Sequence, residues 1–151
     1  MNANDAINML AWTRERTTKI LEVIPPEFLD YKPKETPKNS DYKKPRALLT
    51  HILGVENYWV HDKILKNPLD TTIWGFSGKS IDQIRQAMSL VRRKTLDWLE
   101  NDLEMNLDVP YSGRAKTNMS FILHHVGEHE AHHLGQICLL ATLADVKIPW
   151  V

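Results

Sequence analysis

The chain has a single cysteine, Cys138, in 151 residues. An internal disulfide is thereby excluded, and a lone thiol suits the cytoplasm, where disulfides are rare. It carries no net charge, because 19 Lys and Arg balance 19 Asp and Glu. Without a basic surplus, a nucleic-acid partner is not expected. No apolar run reaches membrane-spanning length. Asp5, Arg14, Glu15 and Arg16 also fall where a signal peptide would be apolar. Internal repeats and low-complexity segments are absent. What remains is an ordinary hydrophobic fraction of 42%, spread over residues 1–151. That is one domain's worth of chain, long enough to bury a substantial core.

The apolar residues recur at helical spacing in four segments. Ala6, Met9, Leu10, Thr13, Thr17, Ile20, Leu21 and Ile24 predict a first helix over 4–23, stopped by Pro25-Pro26. A second helix starts from Ser40 or Asp41 as cap, tolerates Pro45 in its first turn and runs to about Lys66, with Ala47, Leu48, His51, Val55, Tyr58 and Asp62 on its inward stripe. A third opens on the capping box Ser80-Ile81-Asp82-Gln83. The fourth, capped by Thr117 or Asn118, reaches about Asp145, and Ile148-Pro149-Trp150 is expected to fold back on the bundle. A short extended piece is expected around Leu107, Val109 and Tyr111. Four amphipathic helices without a convincing sheet make an all-α four-helix bundle. The loop after the second helix, at ~3.3 Å per residue, can reach back along a helix that rises ~1.5 Å per residue. The second and third helices can therefore be parallel, joined by a long crossover.

The chemistry concentrates in residues 121–140, which hold five of the seven histidines within an apolar, proline-free helix. Buried imidazoles need partners. His125, His129 and His133 form one stripe at successive i, i+4 positions, with His132 at its edge as pocket wall or core. Histidines four apart on one helix face can reach a single metal ion, so His129 and His133 are the strongest pair. A catalytic site needs a third protein ligand, and His51, between Leu48 and Val55 on the second helix, is the candidate. His125 ranks as pocket lining. Tyr58 and Asp62, further along the His51 stripe, are candidate proton donors or orienters, against the plainer readings of a core tyrosine and a helix-end aspartate. His124 and His61 read as surface residues, and Cys138 reads as core.

Residues 129–133 also spell His-Glu-x-x-His, the helical metallopeptidase signature. A metzincin extension would require glycine at 136 and histidine at 139, where the chain has Gln136 and Leu139. Little chain follows His133 to supply a downstream ligand, so a peptidase is disfavoured.

Leu48-Leu49-Thr50-His51-Ile52-Leu53 and His129-Glu130-Ala131-His132-His133-Leu134-Gly135-Gln136 resemble the DinB/YfiT-like family of metal-binding four-helix bundles. The resemblance extends from the Pro25-Pro26-Glu27 turn to Pro149-Trp150. It implies an up-down-down-up topology, frequent homodimers and a divalent ion, often nickel or zinc, on His51, His129 and His133. Leu134 departs from the arginine usual after the second histidine of the fourth helix.

An ion held by three neutral imidazoles keeps its charge and an open position, where it can lower the pKa of bound water or hold a thiolate. The chain therefore reads as a metal-dependent enzyme of small molecules. On the resemblance, a thiol-dependent S-transferase using a low-molecular-weight thiol stands slightly ahead of a metal-dependent hydrolase. The competing class is a non-enzymatic metal-binding or stress-response bundle that dimerises through a helix face.

Overall fold

Local side-chain chemistry sets where the helices begin. Asn2 and Asp5 form a reciprocal capping box: the Asp5 N–H donates to Asn2 Oδ1 at 2.8 Å and the Asn2 N–H to Asp5 Oδ2 at 3.1 Å. They open α1, Ala3–Val23. The Ser80–Gln83 box forms as the sequence indicates, with contacts of 2.9 and 3.3 Å, and starts α4, Ile81–Asn101. Asn118, rather than Thr117, caps α5, Met119–Leu143, by accepting the Phe121 N–H at 2.8 Å. These elements belong to a computed structural model that describes residues 2–34, 44–101, 108–109 and 117–148.

The second helix ends near Lys66 as expected, but it starts later and changes its winding on the way. Ser40 and Asp41 lie outside the described residues; α2 is Pro45–Glu56, with Lys44 at the cap position and Pro45 in the first turn. Asn57–Ile64 then continues it as a π-helix, whose wider turn brings Asn57, Val60 and His61 to the buried side. The inward face is also rotated from the predicted stripe. Leu48, Leu49, Ile52, Leu53 and Glu56 are buried, whereas His51 and Val55 stand at the margin and Tyr58 is exposed. Four closely spaced aliphatic residues outweigh a stripe broken by a histidine and a tyrosine.

Between Leu65 and α4, Asp70 caps a single turn, α3, Thr71–Trp74, and Phe76 is fully buried. The expected extended piece is a minimal antiparallel ladder, β1 Asp108–Val109 with β2 Thr117–Asn118. Leu107 and Tyr111 lie outside the described residues. Ile148 does pack against the core, and Pro149 and Trp150 are not described.

Side-chain pairings give the helix directions. Arg46 binds the carbonyls of Phe76 and Lys79 ahead of α4, Glu56 meets Arg92, and His61 meets Thr95, so α2 and α4 run the same way. Arg14 bonds the Met88 carbonyl while Arg92 bonds that of Leu10, which makes α1 and α4 antiparallel. Gly127 lies against Met9 and Glu130 against Thr17, so α1 and α5 are parallel. His51 faces His133 and Trp59 faces His125, which sets α5 against α2. The bundle is up-down-down-up.

The core is split. One apolar cluster gathers Ile20, Leu49, Leu53, Phe76, Met88 and Ile137; the other gathers Leu10, Val60, Leu99, Ile122 and Val126. Between them lies a charged layer with one residue from each long helix: Arg14, Glu56, Arg92 and Glu130, exposed by 5%, 0%, 3% and 0%. Every carboxylate oxygen accepts twice. Glu56 Oε1 takes Arg92 Nε (2.9 Å) and Thr95 Oγ1 (2.8 Å), and its Oε2 takes Arg14 Nη2 (2.8 Å) and Arg92 Nη2 (3.1 Å). Glu130 Oε1 takes Arg14 Nε (2.8 Å) and Thr17 Oγ1 (2.7 Å), and its Oε2 takes Arg92 Nη2 (2.7 Å) and Arg14 Nη2 (3.2 Å). Two cations and two anions cancel, and no buried side-chain nitrogen or oxygen of the described residues lacks a partner. That completeness makes the desolvation of four charges tolerable.

Candidate metal centre

His51 comes from α2, and His129 and His133 come from successive turns of α5 on the face toward α2. Antiparallel packing brings them together. His129 Nε2 lies 3.0 Å from His51 Nε2 and 3.1 Å from His133 Nε2, and one ligand atom from each histidine lies within 4.8 Å of the others. Nitrogens ~2.1 Å from a tetrahedral ion stand about 3.4 Å apart, so the cluster has the dimensions of a three-imidazole site.

Gln136 fixes the polarity of one ligand. Its Oε1 lies 2.7 Å from His133 Nδ1 and can only accept, so Nδ1 carries the proton and the Nε2 lone pair faces the cluster. The Gln136 amide nitrogen in turn faces His132 Nε2 at 3.3 Å. In the sequence Gln136 marks a departure from the metzincin pattern and the end of the 129–136 motif, with no role at the histidines. Its position one turn after His133, at i+3, is the signal.

Burial, followed by the neighbouring imidazoles His133 and His51, holds His129 down at about 3. Burial likewise lowers His51, helped by His133, and lowers His133 against the opposing bond from Gln136. The donors are therefore neutral at physiological pH, with no proton for a cation to displace. The same shifts set an acid dependence for the metal-free protein. Unfolded histidines take up protons below the usual 6.5, whereas folded His129 stays neutral until about 3. Stability is thus intact above pH 6.5 and declines as the pH falls through that window. With chelator present, the urea midpoint is expected to drop between pH 7 and pH 5, and His129→Gln should flatten that slope. An identical slope in the variant would refute the assignment.

The remaining sequence candidates divide. Tyr58 lines a cleft together with His51, its ring carries Lys63 at 4.7 Å, and Trp59 packs edge-on at 4.9 Å. Asp62 pairs with Lys63 at 2.7 Å. His125 stands next to His129, ring centroids 5.7 Å apart, between Phe121 and Trp59. His132 is exposed rather than core, and Cys138 is half-buried against the first apolar cluster. His124 is exposed beside Glu128. His61 is not a surface residue: it is 3% exposed and bonds Thr95 Oγ1 at 3.2 Å. It continues Leu53 and Asn57 at fourfold spacing and falls with them on the buried side.

Glu130 lies in the charged layer behind His129, fully buried. Although burial alone would raise its pKa, Arg14 and Arg92 hold it below the usual carboxylate range. The glutamate that a His-Glu-x-x-His peptidase uses as its base is here a structural anion.

Solved structures share this architecture. A DinB-like protein from Bacillus subtilis aligns over 97% of this chain and 96% of its own, at 18% identity and a TM-score of 0.66. A protein from Escherichia coli UTI89 aligns over the same shares at 14% identity and 0.72. A DinB-like protein from Bacillus cereus ATCC 10987 covers 97% and 95% at 18% and 0.65. In sequence, the chain is similar to the uncharacterized protein YizA of Bacillus subtilis, 25% identical over 97 residues, which span 62% of this chain and 60% of that relative's length. The family model of the DinB superfamily matches residues 9–137. With that match covering most of the sequence and the bundle and histidine cluster in place, the chain belongs to the DinB superfamily.

Proposed function

We propose that His51, His129 and His133 bind one divalent ion, nickel or zinc, and that the chain is a metal-dependent enzyme of small molecules, a thiol-dependent S-transferase. The observation that carries the reading is the convergence of three neutral imidazole nitrogens with His133 held in its ligating tautomer by Gln136. When bound, the ion would supply positive charge that favours the deprotonated form of a thiol co-substrate. His51, His129 and His133 would hold the ion, and the rings of Trp59 and Phe121 flank His125 beside His129. Such a reaction requires no protein base, and Glu130 is not available as one, which favours transfer over peptidase-type hydrolysis. The homodimer implied by the family resemblance belongs to the same proposal; Leu139 and Leu143 supply exposed apolar surface on α5.

The test supplies zinc- or nickel-loaded protein with a chlorinated nitroarene and a panel of thiols, including glutathione and cysteinyl-sugar thiols. The sulfur–carbon bond forms as chloride leaves with its electron pair, and the thiol proton passes to solvent. Thiol-dependent turnover lost in His129→Ala is the expected result. Thiol-independent hydrolysis of esters or amides, lost in the same variant, would replace the transferase with the hydrolase. Metal binding without either activity would favour the binding bundle.

A further inference from the structure

His51 has a second environment. Besides its place in the histidine cluster, it lines a cleft of about 830 Å³ between α2 and the segment around α3. That volume suits a small organic molecule. Much of the wall is apolar and is supplied by Trp74, Phe76, Gly54 and Tyr58, with Lys44 at the rim. The far wall is held in place. Arg46 grips Asp30 at 2.7 Å while donating to the carbonyls of Phe76 at 3.0 Å and Lys79 at 2.6 Å. The Trp74 indole N–H donates to the Leu69 carbonyl at 3.2 Å, which fixes the ring.

Gly54 is the informative residue. A glycine inside a helix costs about 1 kcal/mol relative to alanine. Packing does not require it here: an added Cβ would meet Trp74 at 3.4 and 3.6 Å, which is ordinary contact. What the missing side chain leaves is a smooth stretch of wall, with Cζ3 and Cε3 of the Trp74 ring lying directly against α2. The charge at the rim is also unbalanced. Asp30 is taken up by Arg46, and Lys44 reaches it only at 3.8 Å, so among the described lining residues one positive charge is in surplus.

We propose that this cleft is the acceptor site of the metal centre and takes a flat aromatic small molecule bearing an anionic group. The ring lies against the wall that Tyr58, Gly54 and Trp74 form side by side, the anion meets Lys44, and His51 joins the cleft to the metal cluster. The assignment rests on the metal-centre reading above, and the experiment separates the two.

Isothermal titration of 2-naphthoate and of neutral 2-naphthalenemethanol is run on chelated and on zinc-loaded protein, with zinc content measured for every variant. Both probes are expected to bind chelated protein at one per chain. Gly54→Leu, which fills the cleft, should weaken both by about tenfold or more. Lys44→Gln should weaken naphthoate alone. Zinc content and far-UV circular dichroism should match the wild type in both variants. Should Gly54→Leu fail to fold, Trp74→Leu is to give the same loss of both probes. No binding to the wild type, or unchanged affinity in the cleft variants, would overturn the site. Naphthoate binding that needs zinc and survives Gly54→Leu would show the metal alone holding the carboxylate, which overturns the cleft and spares the metal centre. Cleft-dependent binding in a protein that retains zinc after His51→Ala would overturn its role as the acceptor site, because the metal would then lie elsewhere.

Discussion

Glu130→Ala is expected to destabilise the protein by about 3–5 kcal/mol, the cost of leaving a buried ion cluster uncompensated. Removing this carboxylate leaves two buried guanidiniums, Arg14 and Arg92, sharing Glu56 alone, and leaves the Thr17 hydroxyl without its 2.7 Å acceptor. Glu128→Ala, two positions earlier with a side chain 69% exposed, is the control and should change stability by less than about 0.5 kcal/mol. Urea unfolding of chelated protein at neutral pH measures both. A loss below about 1 kcal/mol in Glu130→Ala would mean the guanidiniums find other partners, and the charged layer would not hold the helices as described. Glu130→Gln makes the contrast with a metallopeptidase explicit: there the change removes the base of the reaction, whereas here it should act on stability.

The second large effect concerns metal. One divalent ion per chain is expected in the wild type, and His51→Ala, His129→Ala and His133→Ala should each lose it, since two imidazoles cannot hold a three-ligand site closed against water. Gln136→Ala keeps all three donors but frees the His133 tautomer, and a 10–100-fold weaker affinity is the expected size of such an outer-shell loss. His124→Ala, exposed and outside the cluster, should bind as the wild type does. Metal content after dialysis and competition with a chromogenic chelator give both numbers. Full occupancy in His51→Ala would remove α2 from the site. Added metal should also raise the melting temperature, by the equivalent of about 2.7 kcal/mol at a free concentration 100 times the dissociation constant.

The legible parts of the sequence were those written in local chemistry. The Ser80–Gln83 box, the Asn118 cap and Pro45 in the first turn of α2 depend on neighbours within a few residues, and each is in place. The three histidines were legible because i, i+4 spacing on one helix limits what they can reach. The charged layer was not, because its meaning lies in four helices at once: Arg14 alone reads as a surface charge or as an argument against a signal peptide. A signal was nevertheless present. Arg14 lies between Leu10 and Leu21 on the buried face of α1, Arg92 between Met88 and Leu99 on that of α4, Glu56 between Ile52 and Val60, and Glu130 between Val126 and Ile137. A charge lodged in an apolar stripe, once per helix and balanced two against two, marks a buried network. The π-winding after Glu56 left no such mark, since it follows from tertiary packing of Asn57 and His61.

The layer that divides the core also governs how the chain can assemble. Two separate apolar clusters invite two separate folding steps, with one end of the bundle collapsing before the other. An intermediate that docks only three helices, however, seats at most three of the four charges in the middle and leaves at least one without its counter-ion in a dry environment. Each partial assembly is penalised until the last helix arrives. The split core should therefore fold and unfold as one cooperative unit, with the polar girdle acting as the latch that couples its halves.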